Sequence, residues 1–523
     1  MNQLDSPRLG NIEQNILRSA SVSVYDLFQV RALQKAGKTA IRSQSISLNY
    51  TQLLERVDKL AALLSGKGVA FGDRIAVLSE NRHEYIELHL ASAKIGAIVA
   101  CQNWRLTPDE LKYCITLVSP TLLVYSDKQK GLFDKLGIYS CPALRIGEEY
   151  ERGLSSAVIE KQRTDVPTES GLIILYTSGT TGPAKAALIS HRAFIARMTV
   201  LSIDLNIDHE DAFLAWAPMF HIGGSEHSLS TLMMGGSVLV SDGFDAEYMA
   251  SVIGDYKLGW LLLVPATIDR LTDAMERCGT SVKGIKAVGS MPDLIPKSVI
   301  QELTTLFRAP FFNTFGATET GLPPASGDLI PIGTIPSRLS KKISSMCLMR
   351  LVGENDEDVA ASEVGEALVR GPTLFSGYWG AAETNARDFR DGWFRMGDLF
   401  RNNGDGTVDF VGRSKYLIKS GGENIYPAEI ENVLMSDPGV SDAVVVRKSN
   451  DKWGEIPVAV VSRTNTEVQR EYLLDLCRSQ LAGYKRPREL YFVGFDKFPR
   501  NSNGKIIREQ VEEWLKSRQN ILE

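Results

Sequence analysis

Cysteine is scarce and scattered: six residues in 523, at Cys101, Cys114, Cys141, Cys278, Cys347 and Cys477, with no close pair. That spacing excludes a local zinc-type site and predicts buried free thiols in a reducing compartment, the cytoplasm. The six histidines include no His-Glu-x-x-His arrangement, so no structural metal is expected. Long apolar runs are missing too, the most hydrophobic stretches (95–101 and 261–266) falling far short of a membrane span. Charge of one sign is absent: 58 basic against 63 acidic residues leave a net −5. A nucleic-acid surface would need a clustered basic face, which this balance does not supply. The amino terminus, Met1-Asn2-Gln3-Leu4-Asp5-Ser6-Pro7, shows no basic segment followed by an apolar core, so no secretory signal is expected. With 44% hydrophobic residues and a length beyond one core, the chain reads as a soluble globular protein of two or more domains.

Hydrophobic periodicity then gives the architecture. Two helical patterns between residues 22 and 67 flank a hairpin at 40–48, and Leu53, Leu54, Val57, Leu60, Leu63 and Leu64 mark the second helix. Strands are expected at 74–78, 97–101, 122–125 and 172–176, with a helix over 84–96. Ser190 should cap a helix over 191–201. Further strands follow at 213–216, 261–264, 285–290 and 311–315, the stretch 217–224 leaving the first of them as a turn. Strands alternating with helices imply doubly wound, mostly parallel α/β sheets. From 364 to 411 the pattern changes to short alternating segments, a small β-rich subdomain. The charged, glycine-containing stretch 412–422 is the candidate linker. Beyond it, helices near 427–435 and 469–481 and strands near 440–446, 458–461 and 489–493 make a compact α+β unit. The expected division is a large domain over 1–411, a hinge at 412–416 and a mobile small domain over 417–523.

The stretch that organises the chain is Leu172-Ile173-Ile174-Leu175-Tyr176-Thr177-Ser178-Gly179-Thr180-Thr181-Gly182-Pro183-Ala184-Lys185. An apolar strand empties into small and hydroxyl residues, then a lysine. Consecutive amides, hydroxyls and one ammonium suit phosphate oxygens, because glycine lets the backbone come close. It is not a Walker A loop, since two residues separate Gly182 from Lys185 and Ala186 follows. A flexible surface loop has the same composition, so the remainder of the chain must decide. In open α/β sheets ligands sit beyond the carboxyl ends of strands. Several other strand ends here are also rich in small and hydroxyl residues: Val288-Gly289-Ser290 and Asn313-Thr314-Phe315-Gly316-Ala317-Thr318-Glu319. A bound nucleotide would explain them together.

Assembled in order, these stretches resemble the acyl-adenylate-forming superfamily of acyl-CoA synthetases, peptide-synthetase adenylation domains and beetle luciferases. The phosphate-loop stretch is joined by Pro218-Met219-Phe220-His221, Phe315-Gly316-Ala317-Thr318-Glu319, Gly392-Trp393-Phe394-Arg395-Met396-Gly397-Asp398, and Gly412-Arg413-Ser414-Lys415. Ser420-Gly421-Gly422-Glu423-Asn424-Ile425-Tyr426-Pro427 and Pro499-Arg500-Asn501-Ser502-Asn503-Gly504-Lys505-Ile506 complete the set. Each motif alone is modest; seven in order cover nearly the whole chain.

The resemblance implies a two-step reaction. A carboxylic acid attacks the α-phosphate of ATP, pyrophosphate leaves, and the acyl-adenylate passes its acyl group to coenzyme A. It implies that Thr177, Ser178, Gly179, Thr180, Thr181, Gly182 and Lys185 hold the leaving phosphates and that Glu319 binds Mg²⁺. Thr318 would meet the α-phosphate, Phe315 would stack on adenine, and Asp398 with Arg413 would take the ribose. Lys505 would neutralise charge in the adenylation transition state. Gly289, Ser290, Asn313 and Gly316 complete the nucleotide contacts, while Lys415, Lys419, Gly421 and Gly422 serve the hinge and the CoA channel. His221, Ile222, Gly223 and Gly224 would line the acid pocket, the two glycines leaving room for something larger than acetate, with Glu226 and His227 either facing that wall or turned away.

Each residue also has a plainer reading: Asp398 as a turn residue, Glu319 as a helix-start carboxylate, His221 as a core histidine, Lys505 as a turn lysine. Departures from the family pattern are Pro183 one place early, Ala184 and Ala186 around Lys185, Phe315 for the commoner tyrosine, and Tyr416 after Lys415. The expected substrate is a medium- or long-chain fatty acid or an aryl or alicyclic acid, with loading of a carrier protein or non-catalytic nucleotide binding as alternatives. Neither nucleic acid nor a membrane span is expected, and both a monomer and a homodimer stay open.

Overall fold

The computed structural model describes residues 11–138, 140–159, 165–177, 184–264, 267–289, 295–421, 423–464, 467–500 and 504–517. The loop 178–183, Ser290 and Gly422 lie outside the described residues. One sheet has six strands in the order Ala143–Arg145, Leu122–Tyr125, Arg74–Leu78, Ile98–Cys101, Gly171–Thr177, Lys185–Ser190. All its neighbours are parallel except the last pair, which is antiparallel with Thr177 opposite Lys185. A strand covered on both faces needs apolar residues throughout, which is why Ile75, Ala76, Val77 and Leu78 run without alternation and are all buried.

The second sheet has eight strands: Leu329–Ile330, Phe311–Phe312, Ile285–Gly289, Leu258–Leu262, Ala212–Ala215, Ser237–Val240, Thr39–Arg42 and Ser47–Asn49. Its two outermost pairs are antiparallel and the inner ones parallel. Both sheets are thus mostly parallel with antiparallel edges. The strand expected at 261–264 lies at Leu258–Leu262 instead. Its start was hidden by Gly259, where a Cβ would stand 2.8 Å from Ile207 Cγ2. Between the sheets lies the helix His83–Ile95, buried on nearly every side, even at Glu87. Burying that carboxylate requires partners, and Arg56 Nε and the Tyr150 hydroxyl supply them, each at 2.6 Å. The helix His191–Leu205 starts where expected, with the Ser190 side chain accepting from the Ala193 N–H.

The β-rich sheet follows the order Lys341–Lys342, Thr407–Arg413, Trp393–Asn402, Val364–Arg370, Leu348–Val352, with Phe389–Arg390 also pairing with Trp393–Asn402. It takes in two strands upstream of residue 364. The stretch 412–422 is not a free linker. Strand Thr407–Arg413 ends inside it, the short helix Ser414–Tyr416 follows, and Ile418–Ser420 opens the next sheet. That carboxyl-terminal sheet is built on the long hairpin Val440–Asn450 and Gly454–Arg463, with Glu489–Phe492 added in parallel. Helices Pro427–Leu434 and Arg470–Gln480 cover one face and Arg508–Ser517 the other.

All six cysteines are free. Cys101, Cys114 and Cys477 are buried, but Cys278 is exposed, so the thiols are not uniformly interior as expected. No described helix is long and apolar enough to cross a membrane.

Candidate active site

The candidate site forms where the carboxyl ends of the sheet strands meet the β-rich sheet and the segment around Lys505. Thr177 and Lys185 face each other across the antiparallel pair, which belongs to the six-stranded sheet. The Lys185 ammonium lies 4.6 Å from the centre of the Tyr378 ring and 3.8 Å from Asp388 Oδ2. Tyr378 reaches this place because residues 376–379 run beside the Lys185 strand: Ser376 N donates to Leu188 O at 2.7 Å, and Trp379 N to Ala186 O at 2.8 Å. The Tyr378 hydroxyl in turn donates to Glu319 Oε1 at 2.7 Å. One tyrosine therefore touches both the loop lysine and the acidic residue, although no motif of the sequence pointed to it.

Glu319 is also held from below. Its carbonyl accepts from Phe375 N at 2.8 Å and from Arg197 Nη2 at 3.1 Å, and Arg197 reaches the Thr318 carbonyl as well, at 3.3 Å. Arg197 comes from the middle of the helix His191–Leu205 and is fully buried. A guanidinium there needs a counter-charge, and Glu226 supplies it at 2.8 Å. Burial lowers the Arg197 pKa and raises that of Glu226. Glu226 thus turns away from any acid pocket and supports the Thr318–Glu319 turn instead. A buried arginine among apolar helix neighbours was a readable signal, and it was missed.

Asp398 lies on the strand Trp393–Asn402 with Arg413 directly opposite on the neighbouring strand. Arg413 Nε stands 3.0 Å from Asp398 Oδ1, yet that oxygen is buried without an aligned hydrogen bond. A buried carboxylate oxygen short of donors is a ready acceptor for ribose hydroxyls. Burial pushes the Asp398 pKa up to about 6, with Glu319 and Glu366 adding to the rise while Arg413 and Lys505 oppose it. The carboxylate is charged at neutral pH. Lys505 is an exposed residue, yet desolvation by the protein around it, then Arg413, lowers its pKa while Asp398 counters. Lys505 and Arg105 also act on His221, whose pKa falls to about 4, mainly through burial. Asp398, Arg413, Lys505 and His221, drawn from three distant stretches, therefore share one electrostatic environment.

Phe315 packs against Phe410 and Phe400, with ring centres 5.0 and 4.8 Å away. Gly316 is required by chain geometry: a Cβ there would lie 2.1 Å from the Gly321 carbonyl oxygen. Asn313 is buried with both ends of its amide engaged, donating to Ser340 O at 2.8 Å and accepting from Lys341 Nζ at 2.9 Å. Its amide therefore faces the protein interior. Gly223 and Gly224, expected in a turn, belong to the first turn of the helix Ile222–Met234, which His221 precedes. Gly224 does not leave room for a ligand, because a Cβ would meet the Pro218 carbonyl oxygen at 2.5 Å. At Gly223 a Cβ would touch only Leu262 and Ala217, at 3.5 and 3.9 Å.

Farther along the chain, the Lys415 ammonium donates to Glu509 Oε1 at 2.7 Å, and the Tyr416 hydroxyl shares that carboxylate at 3.2 Å. Glu509 lies in the first turn of the helix that follows Lys505, so Lys415, expected at the hinge, contacts the element next to the candidate catalytic lysine. Lys419 is exposed and pairs with Glu354 at 3.3 Å. Gly421 adopts a left-handed φ of +61°, and its N–H donates to Trp453 O at 2.8 Å. Gly289 ends the strand Ile285–Gly289 next to the indole of Trp260.

Comparison with known proteins bears on this geometry. Residues 28–379 match the family described as AMP-binding enzyme, and residues 429–505 match the AMP-binding enzyme C-terminal domain. The chain is similar to an indoleacetate–CoA ligase of Aromatoleum aromaticum, 31% identical over 507 residues that cover 93% of this chain and 97% of the relative. It is likewise similar to a feruloyl-CoA synthase of Amycolatopsis sp, 30% identical, with 92% of this chain and 96% of the other covered. Among solved structures, the o-succinylbenzoate CoA synthetase of Bacillus subtilis in complex with its acyl-adenylate shares the fold, with a TM-score of 0.82, 24% identity, and coverage of 94% and 98%.

Proposed function

The chain belongs to the family of AMP-binding enzymes, and from that membership we propose that it is an AMP-forming acid–CoA ligase acting on a ring-bearing carboxylic acid. The relatives named for indoleacetate and ferulate support a ring-bearing acid over a straight-chain one. The observation that carries the reading is the meeting of Asp398, Arg413 and Lys505 beside Glu319.

The chemistry joins two anions, so catalysis rests on positioning and charge neutralisation. Asp398 accepts the ribose hydroxyls through the oxygen that Arg413 leaves without an aligned hydrogen bond. Lys185 and the loop 178–183 take the leaving phosphates. Lys185 is held meanwhile against Tyr378 and Asp388, at distances from which an entering phosphate can draw it away. Tyr378 engages Oε1 of Glu319, and no hydrogen bond or ion pair from a described residue falls on Oε2. A carboxylate so placed beside phosphate oxygens suits Mg²⁺, which would screen the phosphate charges when bound. Lys505 donates to the oxygens shared between the acid and the α-phosphate, where negative charge peaks. The small domain then turns about Lys415 and brings Gly421 and Gly422 to the thiol channel, glycine allowing close backbone approach. Six unpaired cysteines suit a reducing cytoplasm.

Lys505→Ala tests the assignment. ATP–pyrophosphate exchange should fall by about a hundredfold or more, while CoA acylation from pre-made acyl-adenylate persists. Equal loss of both half-reactions sinks the two-pose mechanism.

A further inference from the structure

Asn81 follows the strand Arg74–Leu78 of the six-stranded sheet, just ahead of the helix His83–Ile95, and is buried. No motif of the sequence singles it out, yet its whole amide is spent on the other sheet. Its Nδ2 donates to Ala215 O at 3.2 Å, Ala217 O at 2.8 Å and Ser241 O at 3.1 Å, and its Oδ1 accepts from Met219 N at 2.8 Å. Ala215 ends one strand of the eight-stranded sheet, and Ser241 follows the neighbouring strand Ser237–Val240. One side chain therefore ties the carboxyl end of one sheet to the carboxyl ends of two strands in the other.

Ala217 and Met219 belong to the turn 216–220, which leads from Ala215 to His221 and lies outside any strand or helix. Buried backbone groups in such a turn need partners that no ladder supplies. Asn81 provides two of them. Met219 is gripped at its carbonyl as well, by the Ser225 hydroxyl, and His89 on the helix His83–Ile95 meets Ser225 Oγ through Nε2 at 3.2 Å. The Ser225 proton is committed to the carbonyl, so His89 Nε2 is the donor in that pair. His221 is fastened to the same turn, its N–H donating to Pro218 O at 3.0 Å. A displaced turn would carry the imidazole with it, and that imidazole lies within the electrostatic reach of Lys505.

We propose that Asn81 is a positioning residue of the ligase, holding the turn 216–220 so that His221 keeps a fixed place relative to Lys505 while the acid is adenylated. This rests on the ligase reading above. Asn81 touches neither acid nor nucleotide in this role and acts through four backbone groups. Without its amide those buried groups lose a partner and the turn reseats. A shift of about 1 Å at that distance from the chemistry costs on the order of a hundredfold in rate.

The test measures ATP–pyrophosphate exchange with phenylacetate, indoleacetate and benzoate, and continues with the acid that the wild type uses best. Asn81→Ala should lower kcat/KM for that acid by about tenfold to a hundredfold. KM for the acid should rise by about threefold or more, while KM for ATP at saturating acid stays within about twofold. KM does not depend on the amount of active enzyme, so partial unfolding does not imitate this split. Ser225→Ala frees Met219 at its carbonyl and should give the same split to a smaller extent, which serves where Asn81→Ala is not recovered folded. Asn81→Ala combined with His221→Ala should lose less than the product of the two single losses, because both act through one turn. An acid KM that stays put in both single variants, or moves together with KM for ATP, overturns the proposal, as do losses that multiply. Absence of exchange by the wild type with all three acids overturns the ring-bearing ligase reading instead, and this assignment with it.

Discussion

At the scale of single residues, two side chains have testable energetics. Asp398 has a folded-state pKa of about 6, against about 3.9 for an unfolded aspartate. A raised acid pKa means that the folded state binds the proton more tightly, so the charged form destabilises the fold. The penalty is full above pH 6, on the order of 3 kcal/mol, and vanishes below pH 4. Asp398→Asn should therefore be more stable than wild type in urea unfolding at pH 8, with the advantage shrinking as the pH falls from 6 to 4. The same variant should bind ATP at least about tenfold more weakly, having lost a charged acceptor. No gain in stability at pH 8 would show that the carboxylate is better compensated than its unaligned oxygen implies. Tyr378→Phe removes the hydroxyl from Glu319 but keeps the ring under Lys185. Pyrophosphate exchange should drop about tenfold, and half-saturation with Mg²⁺, followed by Mn²⁺ binding in place of turnover, should move to higher concentration. An unchanged metal titration would reduce Tyr378 to a packing residue.

At the scale of elements, the helix His191–Leu205 ties the site to the interior through Arg197. Glu226→Gln leaves that guanidinium buried and uncompensated, a change expected to cost about 3–5 kcal/mol of stability in denaturant titration. Pairing Arg197→Met with Glu226→Leu should recover most of that stability but not the exchange rate, because the Thr318 and Glu319 carbonyls lose their donor. Full recovery of the rate would mean that the turn holds itself. This scale also shows what was legible beforehand. Arg74–Leu78 and Leu122–Tyr125 were readable because burial on both faces imposes an apolar run, and the Ser190 cap because its chemistry is local. Strand Lys185–Ser190 escaped notice, since a short run led by lysine and two alanines carries no period. The glycines at 223 and 224 suggested a turn, whereas the close approach to Pro218 explains Gly224 inside a helix. The motifs identified Glu319, Asp398 and Lys505 one by one, but Tyr378 and Arg197 act on Glu319 from 59 and 122 residues away, and nothing in a linear pattern encodes such contacts. Glu226, whose side was left open, went to Arg197.

At the scale of the whole molecule, two ion pairs among the described residues join the proposed large and small domains. Arg401 pairs with Glu429 at 3.2 Å, and Lys419 with Glu354 at 3.3 Å between highly exposed side chains. Lys415 and Tyr416, in the proposed hinge, share Glu509 of the proposed small domain. Glu509→Gln should slow pyrophosphate exchange by a few-fold and leave thioester formation from pre-made acyl-adenylate equal or faster. Slowing of both steps together would indicate damage to the helix Arg508–Ser517 instead.

The partial exposure of that Lys415–Glu509 contact has a consequence for timing. A half-exposed ion pair contributes up to about 1 kcal/mol, or roughly a fivefold bias between two arrangements. Such a bias is a weak preference, so under the proposed two-pose cycle the unloaded enzyme would sample both poses and its occupants would decide between them. Departure of pyrophosphate then acts as the clock of the catalytic cycle. On that cycle the acyl-adenylate would wait for CoA in a cleft that neither arrangement seals for long, and the competition between thiol capture and leakage to water would depend on CoA concentration more than on the proposed hinge.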